Sequence, residues 1–306
     1  MLEIFFLVSL GVIFAKFNLI DKQGLRSLSG LTINLFLPCL IFNHLIHHFS
    51  FSSPSDWWIY PLLGVGVSVL GFVIGSIVCA IDKSIKEKTE FICLITFQNC
   101  GYLPLILVAS IYPDSIAREM FTRIFLFIQG FNVIFWGFGI QFLRPGEHKL
   151  QFKKIFSPPF IALIISMLLI ASNMKFFLPK AAMRVTELLG NCTLPVALLS
   201  LGIILTEAMS TPINIRKSFF LKVLFSKLIV MPLIVLGIIS IFNLPEFIAL
   251  LLLIEALMPS AINLGVVSFY QKAKYGLIGR ALLITHLFAI ISIPFFLAIL
   301  SMRYRF

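Results

Sequence analysis

Long apolar runs separated by short polar links set the rhythm of this chain. A helix needs about 20 apolar residues to cross a bilayer core. Ten stretches approach that length: Leu2 to Phe17, Leu25 to His47, Trp57 to Ile81, Phe91 to Ile111, Phe121 to Leu143, Ile155 to Ser172, Val185 to Leu205, Phe219 to Phe242, Phe247 to Phe269 and Leu277 to Met302. They are continuous in Leu, Ile, Val and Phe and do not alternate at every second residue, so they read as helices and not as the strands of a barrel. The predicted architecture is an all-α membrane protein with ten transmembrane helices.

Composition agrees. The chain is 59% hydrophobic and 12% charged, against about 25% charged residues in soluble domains. The opening MLEIFF lacks the basic leader and small-residue cleavage site of a signal peptide, so the first run reads as mature structure. The five cysteines all fall inside apolar runs and form no CxxC pair, which points to neither a disulfide framework nor a metal site. No cofactor is expected.

The net charge of +11 sorts by side of the membrane. With the N-terminus outside, seventeen of the 24 Lys and Arg residues fall on the inner side and seven on the outer, including Arg118 and Arg123. That split follows the positive-inside rule and places both termini outside the cytoplasm. The basic surplus then serves topology and anionic headgroups, and nucleic acid is not an expected partner.

Internal similarity comes next. NLFLP at Asn34 to Pro38 returns as NCTLP at Asn191 to Pro195, and FICL at Phe91 returns as FIAL at Phe247. The offsets agree within one residue. The chain therefore divides into a first five-helix unit (1–143), a basic linker RPGEHKLQFKK (144–154) and a second unit (155–306). Five is odd, so the second unit enters the membrane the opposite way, an inverted repeat.

In such repeats a solute binds near the midplane, where one helix of each unit breaks and exposes backbone polar groups to a cavity. FQNCGYLPLIL at 97–107 fits that part: Pro104 lacks an N–H, Gly101 tolerates unusual dihedrals, and Asn99 offers an amide. In the second unit IEALMPSAINLG supplies Pro259, with Glu255, Ser260 and Asn263 beside it. Aligning FICL with FIAL sets Asn99 opposite Glu255, whereas aligning the prolines moves the match by one. Pro38 and Pro195, with apolar neighbours, read as simple kinks.

The pattern NxGxLP at Asn99 to Pro104, PSAINLG at Pro259 to Gly265 and LPCLIF at Leu37 to Phe42 resemble the auxin efflux carrier family, nearest its PIN-LIKES branch. The resemblance implies a fold similar to that of bile-acid sodium symporters, with broken helices 4 and 9 crossing, helices 1, 2, 6 and 7 as a scaffold, and helices 3–5 and 8–10 as a moving transport unit. It implies a homodimer through the scaffold and a small organic anion, auxin-like or a mono- or dicarboxylic acid, as substrate. It carries Asn99, Pro104, Pro259 and Asn263 over as crossover residues, and Gln129 resembles a helix 5 glutamine near the site in plant members. The long cytoplasmic loop of plant members is missing, which points to the compact prokaryotic type in a bacterial inner membrane.

Half-helix dipoles give the same class by a separate route: N-terminal ends attract an anion and unwound carbonyls attract Na⁺ or H⁺. Glu255 is the acidic residue deepest in a run, so it reads either as a cavity-facing proton carrier or as a hydrogen-bonded structural group. Lys222 and Lys227 read as snorkelling to the inner surface. HLIHH at 44–48 resembles one box of a di-iron desaturase, but such enzymes need several boxes, and a hydrated interfacial patch with Trp57 and Trp58 is the expectation. His286 reads as a hydrogen-bonded core histidine, with the transport path as the alternative. A secondary carrier of an organic anion is thus the favoured reading, with a Na⁺- or H⁺-coupled bile-acid-type transporter of another solute as the alternative. A channel would need a continuous polar path, and a pump or enzyme would need a nucleotide motif or a catalytic set.

Overall fold

The computed structural model describes residues 2–51, 56–139, 157–210, 217–270 and 275–302. The linker 144–154 and the last four residues of the fifth predicted run lie outside these. Described residues fold as helices, and the β-type pairing among them is one isolated antiparallel bridge between Gln98 and Ser260.

The first half runs α1 (Leu2–Lys16), α2 (Lys22–Leu31), α3 (Leu37–His48), α4 (Ile59–Ile81), α5 (Lys88–Thr96), α6 (Tyr102–Ile111) and α7 (Asp114–Ile134). The second runs α8 (Pro158–Ala171), α9 (Lys180–Asn191), α10 (Thr193–Ser210), α11 (Lys217–Phe225), α12 (Met231–Phe242), α13 (Glu246–Leu257), α14 (Ile262–Tyr270) and α15 (Tyr275–Ser301). Wide π turns at Thr32–Phe36 and Ser226–Val230 join α2 to α3 and α11 to α12. Each is followed by a proline at the second residue of the next helix, Pro38 and Pro232. A proline cannot donate to the carbonyl one turn back, and the widened turn takes up the mismatch without ending the helix.

Among the described residues, five continuous helical stretches are long and apolar enough to span a membrane: Gln23–His48, Ile59–Ile81, Lys180–Ile204, Lys217–Phe242 and Gly276–Ser301. They correspond to predicted runs two, three, seven, eight and ten. Phe6–Lys16 and Pro158–Ala171 are apolar but shorter. Runs four and nine are each divided by a break, and α7 carries Asp114, Arg118, Glu119 and Arg123 along its first turns. The protein is a multi-pass, all-helical membrane protein.

Packing sorts the helices. α1 lies along α10, and α3 packs on α8 and α9. α4 packs on α5 and α7, α13 on α12 and α15, and α14 on α15. The α1–α10 approach is close because glycine faces glycine: a Cβ on Gly11 would strike the Leu199 carbonyl, and one on Gly202 the Val8 carbonyl. Many large apolar side chains point outward, among them Phe177, Ile241 and Ile291, as suits a surface solvated by lipid tails.

Arg123, placed by sequence among outer-side charges, is buried within α7. Its Nε donates to the Tyr60 hydroxyl (3.0 Å), its Nη1 donates to the Glu119 carbonyl (2.8 Å) and carboxylate, and its guanidinium lies 4.2 Å from the Phe247 ring centroid. One cation thus ties α7 to α4 and α13. Of the three clustered histidines His44 is likewise buried, its Nε2 lying 3.1 Å from Thr122 Oγ1, whereas His47 and His48 are exposed.

Candidate functional site: the joined helix breaks

Helix α5 stops at Thr96 and α6 starts at Tyr102. α13 stops at Leu257 and α14 starts at Ile262. The two extended breaks run antiparallel and bond through the backbone: Asn99 N–H donates to Pro259 O at 2.8 Å, and Ala261 N–H donates to Phe97 O at 2.9 Å. Away from water, each freed amide and carbonyl costs several kcal/mol, on the order of 2–7, unless it finds a partner. Here each break supplies what the other lacks.

The last turn of α5 shows the same accounting. Its final carbonyls have no partner within the helix. Cys93 O accepts from Phe97 N–H (3.0 Å), Leu94 O from the Ser260 hydroxyl (2.7 Å), and Ile95 O from the Lys227 ammonium (2.9 Å). Two of these three donors come from the second half of the chain. The Phe97 ring packs edge-on against Phe131 and Phe135, which fixes this break onto α7 and the turn that follows it.

The sequence-predicted residues can now be placed. Asn99 is buried in the first break, and its Nδ2 lies 3.3 Å from His286 Nε2 on α15. Because His286 Nδ1 sits 2.8 Å from Leu282 O, the ring proton belongs on Nδ1 and Nε2 accepts from the amide. His286 is therefore both a bonded core histidine and a neighbour of the break. Pro259 and Ser260 form the second break, with Ser260 fully buried. Gly101 caps α6 at φ −101°, a conformation open to any residue, and a Cβ there would meet nothing within 4 Å, so the backbone borders open space. Asn263 is half-buried at the second residue of α14.

Three expectations are corrected. Pro104 does not break the helix: it is the third residue of α6, where its missing N–H would have no partner anyway, and the chain departs from helix earlier, from Phe97 to Gly101. Asn99 and Glu255 do not hold equivalent places in the two units: Asn99 lies within the first break, whereas Glu255 still belongs to the last turn of α13. Lys227 does not snorkel; it is fully buried with its ammonium on Ile95 O. Lys222, by contrast, reaches the surface, where it bonds Ser84 (2.7 Å) and pairs with Asp82 (2.5 Å).

Gln129 stays apart. Its Nε2 donates to Phe125 O one turn back in α7, and no hydrogen bond joins it to either break among the described residues. Glu255 is fully buried, with the Gln98 amide and the Lys227 ammonium as its electrostatic neighbours, and forms no ion pair with that ammonium. Gln98 Nε2 and Oε1 and Thr96 Oγ1 are buried beside the same junction, again without a protein partner. Sequence reading missed Gln98 and Lys227. The one available signal was a lysine inside an apolar run, and such residues usually sit near an end.

The arrangement concentrates opposed dipoles. The N-terminal ends of α6 and α14 and the C-terminal ends of α5 and α13 converge on one buried junction, so positive and negative half-charges stand side by side. A carboxylate, an ammonium and two amides lie among them. No group of three or more metal-ligating side chains occurs among the described residues.

Comparison with known proteins gives one consistent result. A family model described as "Membrane transport protein" matches residues 1–151 and 142–297. Protein PIN-LIKES 6 of Arabidopsis thaliana is 32% identical over 116 residues, 37% of this chain and 27% of that protein. Protein PIN-LIKES 2 of the same plant is 33% identical over 114 residues, 36% of this chain and 25% of that one. The matched region thus spans about a quarter of these plant relatives. The uncharacterized transporter MJ1031 of Methanocaldococcus jannaschii is 23% identical over 304 residues, covering 95% of each chain.

Proposed function

Because this chain belongs to the membrane transport protein family of the auxin efflux carriers, we propose that it is a secondary active carrier for a small organic anion, an auxin-like or mono- or dicarboxylic acid, working by alternating access. The solute sits at the joined breaks. There the first-turn N–H groups of α6 and α14 face the carboxylate, with the amides of Asn99 and Asn263 and the open space beside Gly101 giving it a place. Pro104, Pro259 and Ser260 hold the two chain segments in register.

The observation that carries this reading is the meeting of two interrupted helices, break to break, around buried polar side chains. Soluble-type packing has no use for such an arrangement in lipid, whereas a midplane binding site requires it. In the same reading the chain forms ten spans as two inverted units of five, with α5–α6 and α13–α14 as the crossing fourth and ninth. The left-handed Asn18 and Asn173, which follow α1 and α8 at the same point of each unit, support that repeat. α1–α3 with α8–α10 serve as scaffold and dimer face, and α4–α7 with α11–α15 as the moving unit. Both termini lie outside the cytoplasm of a bacterial inner membrane. Glu255 takes up and releases the coupling proton.

Thermal-shift titration of the purified protein with indole, aromatic and dicarboxylic acids at two pH values tests the site. A stabilising acid should lose its effect in Asn99→Ala and in Asn263→Ala. Glu255→Gln should fold and lose pH-driven uptake in proteoliposomes. Undiminished ligand stabilisation in both asparagine variants refutes the placement.

A further inference from the structure

A crossover whose helix ends point carbonyls inward favours a cation, and this one holds its own. Lys227 is fully buried on the π turn of Ser226–Val230, and its Nζ donates to Ile95 O in the last turn of α5 at 2.9 Å. That carbonyl belongs to the negative end of a half-helix. The turn that carries it also packs on α13, whose last turn holds the fully buried Glu255 carboxyl, a second negative end. An ammonium on a four-carbon tether therefore stands where two helix C-termini and a carboxylate converge, the electrostatic position of a bound Na⁺.

We propose that Lys227 is a tethered cation that fills a latent alkali-cation site formed by Ile95 O and the Glu255 carboxylate, so that the protein works without Na⁺. This rests on the reading of the joined breaks as the solute site only for its bearing on transport; the cation site itself does not depend on a substrate. The other ionisable groups facing the pair are few. Cys100 comes from the first break, whose Asn99 engages His286 of α15. Lys222 of α11 is held at the surface by Asp82. Nothing else of positive charge among these stands at the junction, so removal of Lys227 leaves Glu255 and the α5 carbonyl end uncompensated, and a small hard cation with oxygen ligands is what such a set binds.

The test is thermal unfolding of the purified full chain at neutral pH in NaCl and in choline chloride of equal ionic strength. The wild type should unfold at the same temperature in both. Lys227→Met should be less stable in choline and recover by a saturable shift of ~3 °C or more in Na⁺, by the linkage of ligand binding to folding. Lys227→Met combined with Glu255→Gln should fold and respond to neither salt. Na⁺-specific stabilisation of the wild type overturns the proposal, as does a Lys227→Met protein that behaves alike in both salts, including one that folds in neither. Carboxylate uptake that requires Na⁺ would leave the carrier reading intact and sink this one. Absence of any carboxylate uptake with the expected salt results would do the reverse.

Discussion

Replacing Ser260 by alanine isolates one of the bonds that hold the two breaks together. The side chain is fully buried, and its hydroxyl donates to Leu94 O at 2.7 Å across 166 residues of sequence. Alanine removes the donor and leaves a carbonyl in the last turn of α5 with no water to replace it, a loss of about 1–3 kcal/mol. Burial at membrane depth argues for the upper half of that range. Unfolding entropy of about 2.1 cal/mol/K per residue over a chain of 306 residues makes each kcal/mol worth about 1.6 °C, so the midpoint should fall by about 3–5 °C. Ser166→Ala is the matched control. Ser166 is equally buried and donates at 2.7 Å, but to Ala162 O one turn back in its own helix, a carbonyl that the helix already occupies. Its loss should cost less than about 0.5 kcal/mol. Unfolding followed by tryptophan fluorescence in detergent measures both. Equal shifts for the two variants would refute the claim that α5 is capped from the second half of the chain.

Two further outcomes follow from the packing and the inner surface. Gly202→Ala places a methyl group against the Val8 carbonyl of α1, a rigid backbone atom, and should destabilise the protein by about 1–3 kcal/mol in the same assay, whereas Gly237→Ala, where a Cβ meets nothing within 4 Å, should not. The Lys222 ammonium, helped by Ser84, holds the Asp82 carboxyl down at about 2. That is below its unfolded value of about 3.9, so the pair supports the fold above about pH 4 and the support is lost as pH falls toward 2. Unfolding midpoints of Lys222→Met and wild type, measured from pH 6 downward, should converge at the acid end.

The helical class and the presence of both breaks were legible because each rests on a local signal: apolar length for spans, and clustered Asn, Gly and Pro in FQNCGYLP and LMPSAIN for interruptions. The register of the breaks was not. Proline is tolerated in a helix's first turn, so Pro104 marks where α6 begins and not where α5 ends, and a reading centred on it sits several residues late. The Gln98 to Ser260 pairing and the Asn99 to His286 contact join residues more than 160 positions apart, beyond any periodicity. Lys227 was misplaced for a third reason. Its distance from the inner end allows snorkelling, and what turns it inward is the acceptor at Ile95, which only the assembled helices supply.

Two peptide-to-peptide bonds between Phe97–Asn99 and Pro259–Ala261 have a mechanical meaning beyond stability. Four half-helices are riveted at one point by groups that every residue carries, so α5, α6, α13 and α14 share one fixed junction. Both halves of the chain meet in that junction, and side-chain replacements around it alter what lines it while leaving its two peptide-to-peptide bonds in place.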